Sequence, residues 1–119
     1  MSAPEPAADC AFCQIVAGDL PADIVHSTDH SIAFRDLQPQ SPTHVLVVPR
    51  AHHANAAALA TADPAALADL VDVAAAVAES EGLGEQYRLV FNTGADAGQS
   101  VFHTHLHLLG GRPMTWPPG

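Results

Sequence analysis

Basic residues are scarce in this chain of 119: four Lys and Arg stand against thirteen Asp and Glu, a formal charge of −9. DNA and RNA bind by exchanging counterions for Lys and Arg, so a nucleic-acid partner is excluded. A small phosphate ligand is not excluded, because it needs only local N–H donors and an imidazole. Long hydrophobic runs are also missing. The longest, Val73–Ala78, falls far short of the ~20 residues that span a bilayer, which removes the membrane. The first nine residues lack the basic and apolar regions of a signal peptide, so a cytoplasmic location is expected. Cysteine is confined to Cys10 and Cys13. In a reducing compartment a Cys-x-x-Cys pair reads as a metal clip or two thiols before a structural disulfide.

What is present suits one globular domain, with 48% hydrophobic residues, many of them alanine. Residues 1–9 read as a loose tail and 10–119 as the domain. Ala11–Ala17 suggests a short helix ended by Gly18. Ile24–Ser27 and Ser31–Arg35 suggest a strand pair turning at Thr28–His30. Two prolines make Gln38–Pro42 a loop, and His44–Pro49 follows as a strand covered on both faces. The longest helix is expected over Pro64–Glu81, with Asp63 as cap, Pro64 in first position and Gly82 past the end. Its apolar stripe is Leu67, Leu70, Val71, Ala74, Val77 and Ala78, with Asp69, Asp72 and Glu79 outside it. Strands over Tyr87–Asn92 and Val101–Leu109, joined by the loop Thr93–Gln99, complete an α+β fold on an antiparallel sheet.

The last strand carries His103, His105 and His107. Alternation places the three rings on one face, roughly 6–7 Å apart, and Thr104, Leu106 and Leu108 on the other. In a helix the same three would fan around the axis and converge on nothing. A row of imidazoles can be a solvated or hydrogen-bonded sheet face, a metal site of three His, or a catalytic group, since neutral imidazole attacks phosphorus near pH 7. The preceding loop favours the last. Gly94 and Gly98 allow backbone N–H groups to approach an anion, while Asn92, Gln99 and Ser100 add neutral donors.

His103-Thr-His105-Leu-His107-Leu-Leu109 resembles the signature of the histidine triad family, with threonine at one apolar position. Phe34–Arg50, Tyr87–Asn92, Gly98–His103 and the ending Trp116-Pro-Pro-Gly119 are similar to its Hint branch, the nucleoside phosphoramidases. The resemblance implies a five-stranded antiparallel sheet with one long and one short N-terminal helix, pairing in a homodimer into a ten-stranded sheet. It implies a site for purine nucleotides (AMP, GMP, phosphoramidates) and hydrolysis of a P–N bond through a nucleotidyl–histidine intermediate. His105 is then the nucleophile, flanked by His103 and His107. His107, Asn92 and Ser100 donate to phosphate, beside Gly98 and Gln99, and Ser100 helps protonate the leaving amine. His44 or a backbone carbonyl orients His105. Asp36 takes the ribose, with Arg35 beside it. Phe12, Ile15, Phe34 and Leu37 line the base pocket, and Trp116 reaches the partner subunit's site. Bacterial-type members imply a structural, non-catalytic zinc on Cys10, Cys13, His52 and His103, with His53 the alternative to His52, and no organic cofactor. Competing readings are a dinucleoside polyphosphate hydrolase, a non-enzymatic nucleotide-binding scaffold and a zinc metallohydrolase.

Overall fold

A computed structural model describes residues 9–119; the expected tail over 1–9 lies, apart from Asp9, outside them. The chain runs α1 (Ala11–Ala17), β1 (Ile24–Ser27), β2 (Ser31–Arg35), β3 (Thr43–Pro49), α2 (Ala56–Ala62), α3 (Pro64–Ser80), β4 (Tyr87–Val90), a 3-10 turn (Ala95–Ala97) and β5 (Leu106–Gly110). The strands form one antiparallel sheet in the order β1-β2-β3-β5-β4.

Period-two alternation gives each face of this sheet its own core. Ala33, Val45, Val47, Leu106 and Leu108 pack against Leu59 of α2 and Leu70, Val73 and Val77 of α3. Ile32, Phe34, Leu46 and Val48 point the other way, against Phe12, Cys13 and Ile15 of α1. All of β3 is therefore buried, as its unbroken hydrophobicity predicts.

Helix α3 starts as expected. Asp63 accepts from the N–H of Ala66, and Pro64 occupies the first turn. Its buried stripe is Ala66, Leu70, Val73, Ala74, Val77 and Ala78, whereas Val71 is exposed. Asp69 is no solvated acid either: it accepts from Thr28 and Ser31 at 2.6 Å each, pinning the β1–β2 turn to the helix. Burial alone would raise its pKa, but those two hydrogen bonds, with His30 and His26 nearby, together lower it. Helix α2 was not anticipated. Asn55 caps it through the N–H of Ala58, and its alanines supply the propensity.

Candidate functional site

The final strand is shorter than its hydrophobic pattern suggests, and the reason lies in its neighbour. β5 pairs with β3 from Thr43↔Gly110 to Val47↔Leu106. Continuing that register would set Thr104 opposite Pro49, which has no N–H for a ladder bond. The N–H and Oγ1 of Thr104 bond instead to the carbonyl of His53, at 2.7 and 2.9 Å. His103 and His105 therefore sit on an irregular segment leading into the strand, and His107 lies within it. The rings still favour one side: His103 and His105 both meet Phe12 edge-on, and the His105 and His107 centroids are 5.0 Å apart.

Backbone partners fix which nitrogen of each ring is available. The Nδ1 of His105 lies 2.8 Å from the carbonyl of His103, an acceptor, so Nδ1 carries the proton and Nε2 keeps its lone pair. For His107 the chain of inference is longer. The backbone N–H of Gln40 donates to Nδ1 of His44 at 3.0 Å, leaving the His44 proton on Nε2. That Nε2 is 2.9 Å from Nδ1 of His107, which must accept. His107 thus carries its proton on Nε2, and this buried atom has no partner among the described residues. An unspent N–H of this kind costs stability unless a ligand accepts it. Burial keeps both rings neutral at pH 7. It lowers the pKa of His44 against the pull of Asp36. It pushes His107 down to about 4, helped by His105 and His44 and opposed by Asp36.

His105 and His107 open onto a cavity of about 580 Å³. Phe12, Ile15, Phe34 and Leu46 form apolar walls, Asp36 stands at one side, and Ser100 and Val101 at another. Leu37, 96% exposed, lies at the mouth. Asp36 is held by the N–H of Gln38 at 2.8 Å and lies 3.4 Å from Nε2 of His44. The structure thus brings together eight of the residues expected here: Phe12, Ile15, Phe34, Asp36, Leu37, Ser100, His105 and His107.

Other expected residues make contacts of their own. His44 holds His107 rather than His105, whose orienting partner is the carbonyl of His103. Gln99 is 4% exposed, and its amide is spent inside the loop. Its Nε2 donates to the carbonyls of Ala54 and Val101, and its Oε1 accepts from the N–H of Gly94. The N–H of Gly98 bonds to Ala95. The two glycines serve the turn through positive φ, +88° and +97°, not an open row of N–H donors. Asn92 sits beside Gly98, where an added methyl would meet its Nδ2 at 3.8 Å. Trp116, 83% exposed, is not among the cavity's lining residues. Arg35 forks onto Glu81 at 2.7 and 3.1 Å.

His103 belongs to a different assembly. It is fully buried, and its Nε2 donates to the carbonyl of Pro49 at 2.8 Å, leaving Nδ1 as a lone pair. That lone pair faces Cys10 Sγ at 3.6 Å, Cys13 Sγ at 3.5 Å and His52 Nδ1 at 3.1 Å, while Cys13 Sγ lies 3.2 Å from His52 Nδ1. Bond lengths of ~2.0–2.3 Å around a tetrahedral ion put ligand atoms about 3.3–3.8 Å apart. The four side chains therefore fit one metal ion. His53 contributes its backbone carbonyl, not its ring.

Compared with known proteins, the chain matches the HIT domain over residues 17–114. It belongs to the HIT-domain family. An uncharacterized HIT-like protein of Synechocystis is 47% identical over 95% of this chain and 99% of its own. A crystal structure of a HIT family hydrolase from Legionella pneumophila superposes with a TM-score of 0.89 and 48% identity, covering 93% of this chain and all of that one. A histidine triad nucleotide-binding protein from Candida albicans gives 0.77 and 31%, over 84% of this chain and 73% of that one. Cys10 and Cys13 precede the matched HIT span. No helix among the described residues is long and apolar enough to cross a membrane.

Proposed function

We propose that this HIT protein is a cytoplasmic, homodimeric purine nucleoside phosphoramidase. One observation carries the reading: His105, with its Nε2 lone pair uncommitted, and His107, with a buried Nε2–H that has no partner among the described residues, line the same cavity. A nucleophile and an oxyanion donor side by side are what displacement at phosphorus requires. The hydrolase and nucleotide-binding names of the solved relatives agree with it. The apolar walls receive a purine without hydrogen bonds specific to adenine, and Asp36 accepts from the ribose hydroxyls.

In the first step Nε2 of His105 bonds to the α-phosphorus as the P–N bond to the amine breaks. The amine takes the bond's electron pair and a proton delivered through Ser100. The phosphorylated ring is cationic, and the carbonyl of His103 on its Nδ1–H stabilises it, while His107 and Asn92 donate to the phosphoryl oxygens. Water then attacks phosphorus, passing a proton back through Ser100 to restore the one given to the amine. The P–Nε2 bond breaks with its electron pair returning to Nε2, and nucleoside monophosphate leaves with neutral His105 regenerated. In this reading the Cys2His2 cluster holds zinc. Cys10, Cys13, His52 and His103 would hold it, and four protein donors would suit a structural rather than a catalytic ion. Its chemistry is to cross-link α1, the segment after β3 and the histidine segment.

Comparing adenosine 5′-phosphoramidate with a diadenosine polyphosphate tests the reading. Faster turnover of the phosphoramidate supports it. Preference for the polyphosphate assigns the other hydrolase activity, and saturable AMP binding without turnover of either leaves a nucleotide-binding scaffold.

A further inference from the structure

One peptide unit joins the metal cluster to the reactive ring. The carbonyl of the His103–Thr104 peptide accepts from Nδ1 of His105 at 2.8 Å and so sets where Nε2 points. The N–H of the same unit donates to the carbonyl of His53 at 2.7 Å, reinforced by the Thr104 hydroxyl at 2.9 Å. Both ends of this small lever are anchored on cluster ligands. The ring of His103 is a ligand, and His53 follows His52, another. Their Nδ1 atoms, 3.1 Å apart, hold segments 52–53 and 103–104 in register when one ion binds both. Without an ion, the lone pair of His103 faces two sulfurs and a ring nitrogen at 3.1–3.6 Å with no charge between them. A His52 Nδ1–H or a cysteine thiol can then hydrogen-bond to that lone pair, but buried thiols make weak donors, so the two segments are held less firmly than by an ion.

We propose that occupancy of the Cys10–Cys13–His52–His103 cluster positions the nucleophile: the bound ion fixes the 103–104 peptide, and that peptide fixes the tautomer and direction of the His105 ring. His103 is thus a positioning residue, acting through its carbonyl while its ring stays on the metal. The inference rests on His105 being the reactive group only for its kinetic consequence; the structural linkage stands apart from that reading.

The test uses the full chain labelled with 15N in histidine, loaded with zinc and then stripped by chelator, with the fold checked by backbone amide spectra. In the zinc form His105 shows a single tautomer with a slowly exchanging Nδ1–H. In the stripped form that signal broadens or gives way to a mixture of tautomers, and zinc restores it. These spectra need no substrate, so they can fail or succeed whatever the enzyme hydrolyses. In kinetics on the phosphoramidate, stripping lowers kcat about 10–100-fold, as loss of an outer-shell partner does elsewhere, with KM nearly constant. Cys13→Ser, which weakens the site, reproduces the loss in proportion to its lost metal. If the stripped chain unfolds, cadmium substitution decides: the larger ion shifts His103, and the His105 signals must move with it. Identical His105 signals in the zinc and folded stripped forms, or in the zinc and cadmium forms where stripping unfolds the chain, overturn the proposal.

Discussion

His103 and His105 are the same residue type two positions apart, and both touch Phe12, yet the fold gives them opposite tasks. The ring of His103 donates through Nε2 to the carbonyl of Pro49 and turns its Nδ1 lone pair toward sulfur. The ring of His105 donates through Nδ1 to the carbonyl of His103 and leaves its Nε2 lone pair to the cavity. His107 differs again, its Nδ1 accepting from His44 and its buried Nε2–H left without a partner among the described residues. Spacing aligns three imidazoles, but the backbone carbonyl or neighbouring ring that each one meets decides which nitrogen keeps a lone pair and which carries the proton.

Four substitutions probe that division, the last through a pH series. His105→Asn removes the attacking lone pair and lowers kcat at least about 10³-fold, as loss of a nucleophile does in other enzymes. AMP binding by calorimetry persists, and near-normal turnover would put the nucleophile elsewhere. His107→Ala deletes a donor to the transition state and costs about 10²–10³-fold in kcat. An equal fall with KM rather than kcat would make it a ground-state contact. His44→Phe leaves both rings in place but removes the partner that fixes the tautomer of His107. The expected loss is about 10–100-fold, read as kcat across pH 5–8; an unchanged profile would refute the relay from Gln40 through His44.

The smallest effect is on stability. His107 is held neutral, with its pKa at about 4 against an ordinary 6.5. Between those values the unfolded chain takes a proton that the folded one refuses, so folding stability falls as pH drops from about 6.5 toward 4 and levels off below. Melting temperatures over pH 4–7 should show that slope, and His107→Gln should reduce it without abolishing it, because burial also pushes His103 down to about 4 and lowers His44. A slope unchanged in His107→Gln would mean that other groups carry it.

The sheet and the long helix were legible because alternation, proline and capping residues act locally. Asp63-Pro64 marks the start of α3, and continuous hydrophobicity marks β3. The reactive row was legible as a set of residues and not as a strand, since its upper half loses the ladder at Pro49, a partner 54 positions from His103. The cysteine pair announces a metal site, but joining it to His52 and His103 needed the family resemblance, for those contacts span up to 93 positions. In the glycine loop the side chain of Gln99 takes the N–H of Gly94, a contact that no local pattern encodes. Helix α2 had a readable signal in Asn55 and the alanines after it, weak because alanine carries no periodic stripe.

The central claim is that His105 bonds to phosphorus through Nε2. Rapid quenching of a single turnover of adenosine 5′-phosphoramidate carrying 32P, followed by alkaline peptide mapping, reads that bond directly. The account predicts an acid-labile, alkali-stable label on His105 that forms and decays at the rate of turnover. Label on another residue, or turnover proceeding while no labelled protein forms even when the second step is slowed, would contradict it.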